Sequence, residues 1–173
     1  MSRARGRAWT RDELILAINL YCRTPFGKIH QTNPDIVAMA DLLGRTPSSI
    51  TLKMTNFASI DPSLERKGMA NSSKLDKVVW AEFYDDWDAM AFESEQRMAE
   101  LTGESIGAPV AAEERAEYDL DIPEGKSRDV VVKQRVNQGF FRRMIIAAYG
   151  RKCCITGLAL PALLNASHIV PWA

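Results

Sequence analysis

Three helix-start signals within the first 50 residues constrain the fold of this chain more than any other feature. Thr10 is followed three residues later by Glu13, which is a capping-box pattern. Asn33-Pro34 and Thr46-Pro47 each place a capping residue directly before a proline at the first helical position. Apolar residues at helical spacing follow each signal, so the sequence predicts three short helices joined by turns.

The bounds of these helices follow from the same pattern. The first helix is predicted over residues 10–23, and the second begins at Pro34 and ends at Gly44, because glycine tolerates a left-handed helix end. The third helix begins at Pro47. Its predicted inward face carries three apolar residues: Ile50, Met54 and Phe57.

The opposite face of the third helix carries short polar and basic side chains. A helix, a glycine turn and a second helix with such side chains outward is typical of a helix-turn-helix that enters the DNA major groove. A bundle that only packs is the alternative. The predicted DNA contacts of this module are Arg45, Ser48, Ser49, Thr51, Lys53 and Asn56.

An apolar and aromatic stripe predicts one long helix over residues 73–101. Base stacking is one possible role for its aromatic rings, but the surrounding acidic residues would repel phosphates, so we expect the stripe to pack in a core. A protein-interaction bundle that uses this helix is a further alternative. The stripe consists of Leu75, Val79, Phe83, Trp87 and Met90.

Charge is distributed in blocks although the net charge is zero. Residues 1–77 carry 12 basic and 7 acidic side chains, residues 78–125 carry 2 and 14, and residues 126–173 carry 8 and 1. Two basic blocks around an acidic one suit two DNA-facing modules. Glycine, proline and acidic residues predict a linker over 102–127, between a helical domain at 1–101 and a second domain at 128–173.

The second domain begins with Val130-Val131-Val132, which predicts a short extended piece. Asn137 is the expected N-cap of a helix that buries Phe140 and ends at Gly150.

Four segments of this domain occur in an order and spacing that chance does not explain. They are Gln138–Arg143 (QGFFRR), Ala148–Gly150 (AYG), Cys153 with Ile155–Gly157 (ITG), and Ala166–Trp172 (ASHIVPW). Together they resemble the opening half of an HNH endonuclease domain of the restriction type. The resemblance implies a partial ββα-metal domain at the C-terminus, a role in restriction or defence, and a divalent ion, Mg²⁺ or Mn²⁺. With the helices predicted upstream, the expected fold is mainly α, a helical bundle followed by this partial α+β domain.

The resemblance also implies that His168 is the general base. An imidazole with an ordinary pKa near 6.5 can take a proton from water at neutral pH, and a cation stabilises the charge that gathers on the phosphate. Four basic residues are expected to hold the DNA backbone: Arg142, Arg143, Arg151 and Lys152.

The metal ligands are unknown from the sequence. Ser167 occupies the position at which many HNH enzymes place an Asp or His ligand, and a neutral serine is a poor ligand. The family's orienting asparagine and metal-binding histidine should lie beyond Trp172. We therefore expect residues 1–173 alone to have little or no nuclease activity.

The sequence also predicts the state of the cysteines, the cellular compartment and the partners. There are three cysteines without repeated spacing, so Cys153 and Cys154 are expected to be buried rather than to bind zinc. No signal peptide or membrane-spanning run is recognised, which predicts a cytoplasmic protein. DNA is the expected partner, with a homodimer possible. A non-enzymatic DNA-binding regulator is the alternative function.

Overall fold

The computed structural model describes residues 6–64, 71–103, 106 and 128–167. That part of the chain is mainly helical, as predicted, and contains no strand, so the ββα architecture stays a prediction. Short 3₁₀ turns lie at Phe26–Lys28 and Pro161–Leu163. The six α-helices of the described residues are α1 (Arg11–Cys22), α2 (Pro34–Leu42), α3 (Pro47–Ile60), α4 (Lys74–Asp85), α5 (Trp87–Thr102) and α6 (Arg128–Ala148).

The three predicted helix starts are confirmed by their caps. The Thr10 hydroxyl accepts a hydrogen bond from the Glu13 amide at 3.3 Å, and the Thr10 amide donates to the Glu13 carboxylate at 3.0 Å. Asn33 caps α2 and Thr46 caps α3. Gly44 lies between these two helices with a φ of 61°, the left-handed conformation for which glycine was predicted.

Helix α1 lies at the centre of the bundle. Nine consecutive residues, Glu13–Tyr21, are buried, and the helix contacts each of the other five. A helix that is buried on all sides requires apolar neighbours on all sides, and these come mainly from α3, α4 and α5. The apolar residues buried around α1 include Ile36, Ile50, Met54, Phe57, Val79, Phe83, Met90 and Phe140.

The single long helix predicted over 73–101 is wrong, because the chain turns at Asp86. There the backbone has φ −136° and ψ 67°, and the carboxylate of Asp86 accepts from the Ala89 amide at 3.1 Å, which caps α5. The break lets α5 pack against both α1 and α4. The core role of the stripe is confirmed for Val79, Phe83 and Met90, which are buried, and Trp87 packs against the core partly buried. It is wrong for Leu75, which is 38% exposed.

The predicted start of the last helix is also wrong. Helix α6 begins at Arg128, so Val130–Val132 are helical rather than extended, and Asn137 lies inside the helix. The preference of valine for strands is weak, and Val130 is 50% exposed, so Val130 continues the helix without being buried in a core. The buried Asn137 amide donates to the Asp88 carbonyl at 3.0 Å and also contacts its carboxylate, so this residue ties α6 to α5 instead of capping a helix.

Helix α6 packs into the same hydrophobic core as the first five helices. Phe140 is fully buried, with its ring centroid 6.0 Å from that of Phe83 and 6.5 Å from that of Trp87. The sequence suggested no such contact. Apart from Thr102, Gly103 and Ile106, the linker predicted over 102–127 lies outside the described residues, and the division into domains stays a prediction.

The described residues contain no helix with the length and apolar run required to cross a bilayer.

A buried ion pair joins α3 to α4. The Lys53 ammonium lies 2.8 and 2.9 Å from the two carboxylate oxygens of Asp76, which is itself fully buried. The same carboxylate accepts from the Ser73 amide at 2.8 Å as part of the α4 capping box. Removing the lysine would leave a buried carboxylate with only that backbone donor.

We therefore expect Lys53→Ala to lower the free energy of unfolding by about 3 kcal/mol. Urea denaturation measures the loss. The matched control is Lys77→Ala, which removes an exposed cation from α4 and should change stability by less than about 0.5 kcal/mol. Equal losses in the two variants would contradict the stabilising role of the buried pair.

Candidate functional site

Three of the residues predicted to face DNA from the helix-turn-helix are buried instead. Arg45, Lys53 and Asn56 expose 4, 7 and 5% of their surface. The expectation that they point outward is therefore wrong. Lys53 pairs with Asp76 of α4, and the Asn56 amide donates at 3.3 Å to the carbonyl of Asn71, in the segment just before α4.

Arg45 is held by the start of α1. Its Nη2 and Nε donate to the Glu13 carboxylate at 2.7 and 3.1 Å, and Nη1 and Nη2 donate to the carbonyls of Arg7 and Ala8 at 3.1 and 2.8 Å. Its guanidinium also lies 4.0 Å above the centroid of the Trp9 ring. With four of its five N–H donors engaged within the chain and 4% of its surface exposed, Arg45 closes the turn between α2 and α3 rather than facing a phosphate.

The carboxylate at the centre of this arrangement is ionised more readily than an ordinary one. Burial opposes ionisation of Glu13, but hydrogen bonds from Arg45 and from the Thr10 amide, with the charges of Arg45 and Arg7, outweigh it and lower its pKa. Glu13 and Arg45 therefore form a structural ion pair within the bundle.

The exposed face of α3 is hydroxyl-rich and uncharged. Ser48 is exposed, Ser49 and Thr51 are half-buried, and Leu52 is 47% exposed. The Thr51 hydroxyl donates to the carbonyl of Pro47 at 2.9 Å. Because Lys53 is the one charged residue of α3 and is buried, phosphate attraction by this helix would need cations from elsewhere.

Cations are exposed where α6 ends. The Gly150 amide donates to the Ala147 carbonyl at 3.0 Å and the Arg151 amide to the Ile146 carbonyl at 2.8 Å, the paired bonds of a Schellman motif. Gly150 and Arg151 have φ values of 61° and 62°, which reverse the chain direction. The motif leaves the side chains of Arg151 and Lys152 exposed, so these two predicted phosphate contacts are accessible to a ligand.

A tight turn follows these cations. The Cys153 amide donates to the Leu158 carbonyl and the Gly157 amide to the Cys153 carbonyl, both at 2.9 Å. The Thr156 hydroxyl and backbone amides donate to the Cys153 sulfur, which lowers the pKa of that thiol. The predicted burial of the two cysteines is wrong, since Cys153 is half-buried and Cys154 is exposed.

The two arginines of the QGFFRR segment are engaged within the chain. Arg142 donates through Nη2 to the carbonyl of Pro161 at 3.0 Å and through Nη1 to the carbonyl of Leu164. Arg143 pairs with the carboxylate of Glu95 on α5 at 2.8 Å. The sequence could not show these partners, because each lies 19 or more residues away along the chain.

The segment before the predicted general base is described only up to Ser167, which is exposed. His168 and the five residues after it lie outside the described residues. In the described ranges, no group of three or more His, Cys, Asp or Glu side chains is arranged to hold a metal ion. The structure therefore brings Arg142 to the segment that leads to His168 and leaves Arg151 and Lys152 open to solvent.

No protein-family model matches this chain, and neither a curated protein nor a solved structure is significantly similar to it. Function has to be inferred from the residues themselves.

The depressed pKa of Glu13 predicts a specific pH dependence of stability. A carboxylate whose pKa is lower in the folded state stabilises the fold above its unfolded pKa, about 4.3, and this stabilisation disappears as the pH falls through the folded value. We expect Glu13→Gln to cost about 2 kcal/mol at pH 7 and progressively less between pH 5 and pH 3.

Urea denaturation across that pH range measures the difference. Asp12→Asn is the control, because Asp12 is exposed and its ion pair with Arg97 is screened by solvent, so the change should give a small difference at every pH. If Glu13→Gln cost the same at pH 3 as at pH 7, the ion pair with Arg45 would not be the source of the stability.

Proposed function

We propose that this chain belongs to an HNH-type endonuclease that hydrolyses DNA phosphodiester bonds, in a restriction or defence setting. The observation that carries the proposal is the order and spacing of the QGFFRR, AYG, ITG and ASHIVPW segments between residues 138 and 172. In this proposal His168 takes a proton from the attacking water, a role that suits an imidazole at neutral pH.

Phosphate binding is assigned to the exposed cations at the end of α6. Arg151 and Lys152 have solvent-exposed side chains and lie within 17 residues of His168 along the chain. Nonspecific attraction to the DNA backbone needs such local positive charge and no net charge on the whole protein. Arg142 and Arg143 are less suited to this role, because both already donate to groups within the chain.

A divalent ion, Mg²⁺ or Mn²⁺, is implied by the family resemblance. The described residues do not fit such an ion, since the one candidate beside His168 is Ser167, a neutral hydroxyl, and hard cations in proteins prefer carboxylate and carbonyl oxygens. No step of the proposed reaction is therefore assigned to a metal ligand of this chain.

The phosphate assignment predicts a change in the salt dependence of DNA binding. Each lost phosphate contact reduces the slope of log K against log salt concentration by about 1, so Arg151→Ala with Lys152→Ala should reduce it by about 2. Fluorescence anisotropy with duplex DNA at several salt concentrations measures the slope. The matched control, Lys74→Ala with Lys77→Ala, removes two exposed cations from α4 and should leave the slope unchanged.

The catalytic assignment predicts the behaviour of His168→Ala. With the full-length protein, nicking of supercoiled plasmid should require Mg²⁺ or Mn²⁺ and should slow by about 10²-fold or more in this variant. His30→Ala is the control, because His30 is exposed on the loop before α2 and hydrogen-bonds Thr32. Metal-dependent nicking that survives His168→Ala would contradict the assignment.

A DNA-binding regulator without nuclease activity is the second candidate. It is favoured by the α2–α3 unit, in which Gly44 makes the tight left-handed turn and the exposed face of α3 carries Ser48. On this alternative, Ser48→Glu would weaken duplex binding by charge repulsion, while replacing Arg151 and Lys152 would have little effect. The two candidates therefore make opposite predictions for the same binding assay.

A further inference from the structure

We propose that Arg142 is a positioning residue that fixes the segment leading to His168, and that it does not bind DNA phosphate. The inference rests on the proposed function for its catalytic meaning, whereas the contact itself is a feature of the fold. Three properties of the described residues support it: the two carbonyls that Arg142 holds, the exposure of the segment's apolar side chains, and the anchoring of α6.

The guanidinium of Arg142 clamps a single turn of 3₁₀ helix. Nη2 donates to the Pro161 carbonyl at 3.0 Å, and Nη1 donates to the Leu164 carbonyl. The turn is closed by the Leu163 amide, which donates to Leu160 at 2.9 Å, and by the Leu164 amide, which donates to Pro161 at 3.1 Å. Arg142 therefore bonds both ends of the turn, and charge-assisted bonds of this kind are stronger than neutral ones.

Hydrophobic burial does little to hold this segment. Leu158, Leu160 and Leu163 expose 42, 54 and 71% of their surface, while Leu164 is half-buried. A segment with three of four leucines exposed gains little from burial to offset the entropy lost on ordering. The two hydrogen bonds from Arg142 therefore carry much of the attachment of the segment to α6.

Helix α6, which carries Arg142, is itself anchored in the bundle. Phe140, two residues earlier, is fully buried between Phe83 and Trp87, and Arg143 is paired with Glu95 of α5. The two adjacent arginines thus bind different parts of the protein. Arg143 ties α6 to the bundle, and Arg142 ties the C-terminal segment to α6.

The clamp fixes the chain close in sequence to the residue assigned as general base. Leu164 precedes His168 by four positions, whereas the turn that ends at Leu158 precedes it by ten. A general base acts only within hydrogen-bond reach of the water, so under the proposed function a fixed point four positions away bears on catalysis.

Amide hydrogen exchange, followed by NMR, tests the clamp without any assay of activity. In Arg142→Ala the amides of Leu163 and Leu164 should exchange at least tenfold faster, while the amides of α1 and α5 keep their rates. Arg142→Lys should fall between the two proteins, because an ammonium can reach one carbonyl more easily than two. Arg135→Ala, an exposed arginine on the same helix, is the matched control and should leave the turn unchanged.

Unchanged exchange rates at Leu163 and Leu164 in Arg142→Ala would overturn the proposal.

A second measurement separates positioning from phosphate binding. The slope of log K for duplex DNA against log salt concentration should be the same in Arg142→Ala as in the unaltered protein. A slope reduced by about 1 would make Arg142 a phosphate contact and would also overturn the proposal. If His168→Ala left cleavage intact, the proposed function would fail, but the exchange rates would still decide the role of Arg142.

Discussion

The structure depends on the burial of one aromatic ring from the second half of the chain. Phe140 is fully buried against Phe83 and Trp87, and through this contact α6 shares the core of the first five helices. Polar bonds at the same interface, from Asn137 to Asp88 and from Arg143 to Glu95, set the register of the helix along α5. The turn that Arg142 holds, Pro161–Leu164, is connected to the bundle through this helix.

Local signals in the sequence predicted the local structure well. The caps at Thr10, Asn33 and Thr46 and the glycine turn at Gly44 involve residues within a few positions of one another, so pattern alone identified the first three helices. A local capping pattern gave a wrong prediction where a residue distant in sequence determines what the side chain contacts. Asn137 resembles an N-cap in sequence, but its amide bonds Asp88, 49 residues earlier.

The candidate site was less predictable for the same reason. A helical wheel puts Lys53 on the polar side of α3, and a lysine is normally solvated. Its partner Asp76, 23 residues further on, could not be inferred from spacing, and neither could the pairing of Arg45 with Glu13. The cations that remain exposed, Arg151 and Lys152, lie beside a Schellman motif whose Gly150 was predicted to end the helix.

Helix α6 is part of the bundle's core, and the C-terminal segment is held in place through it. Hydrogen exchange under native conditions on Phe140→Ala tests this most directly, because that change removes the ring and leaves the polar contacts. We predict that opening free energies in α1 and α6 fall together, by about 3–5 kcal/mol, as expected for truncation of a core phenylalanine. A fall confined to α6, with α1 unchanged, would contradict the claim.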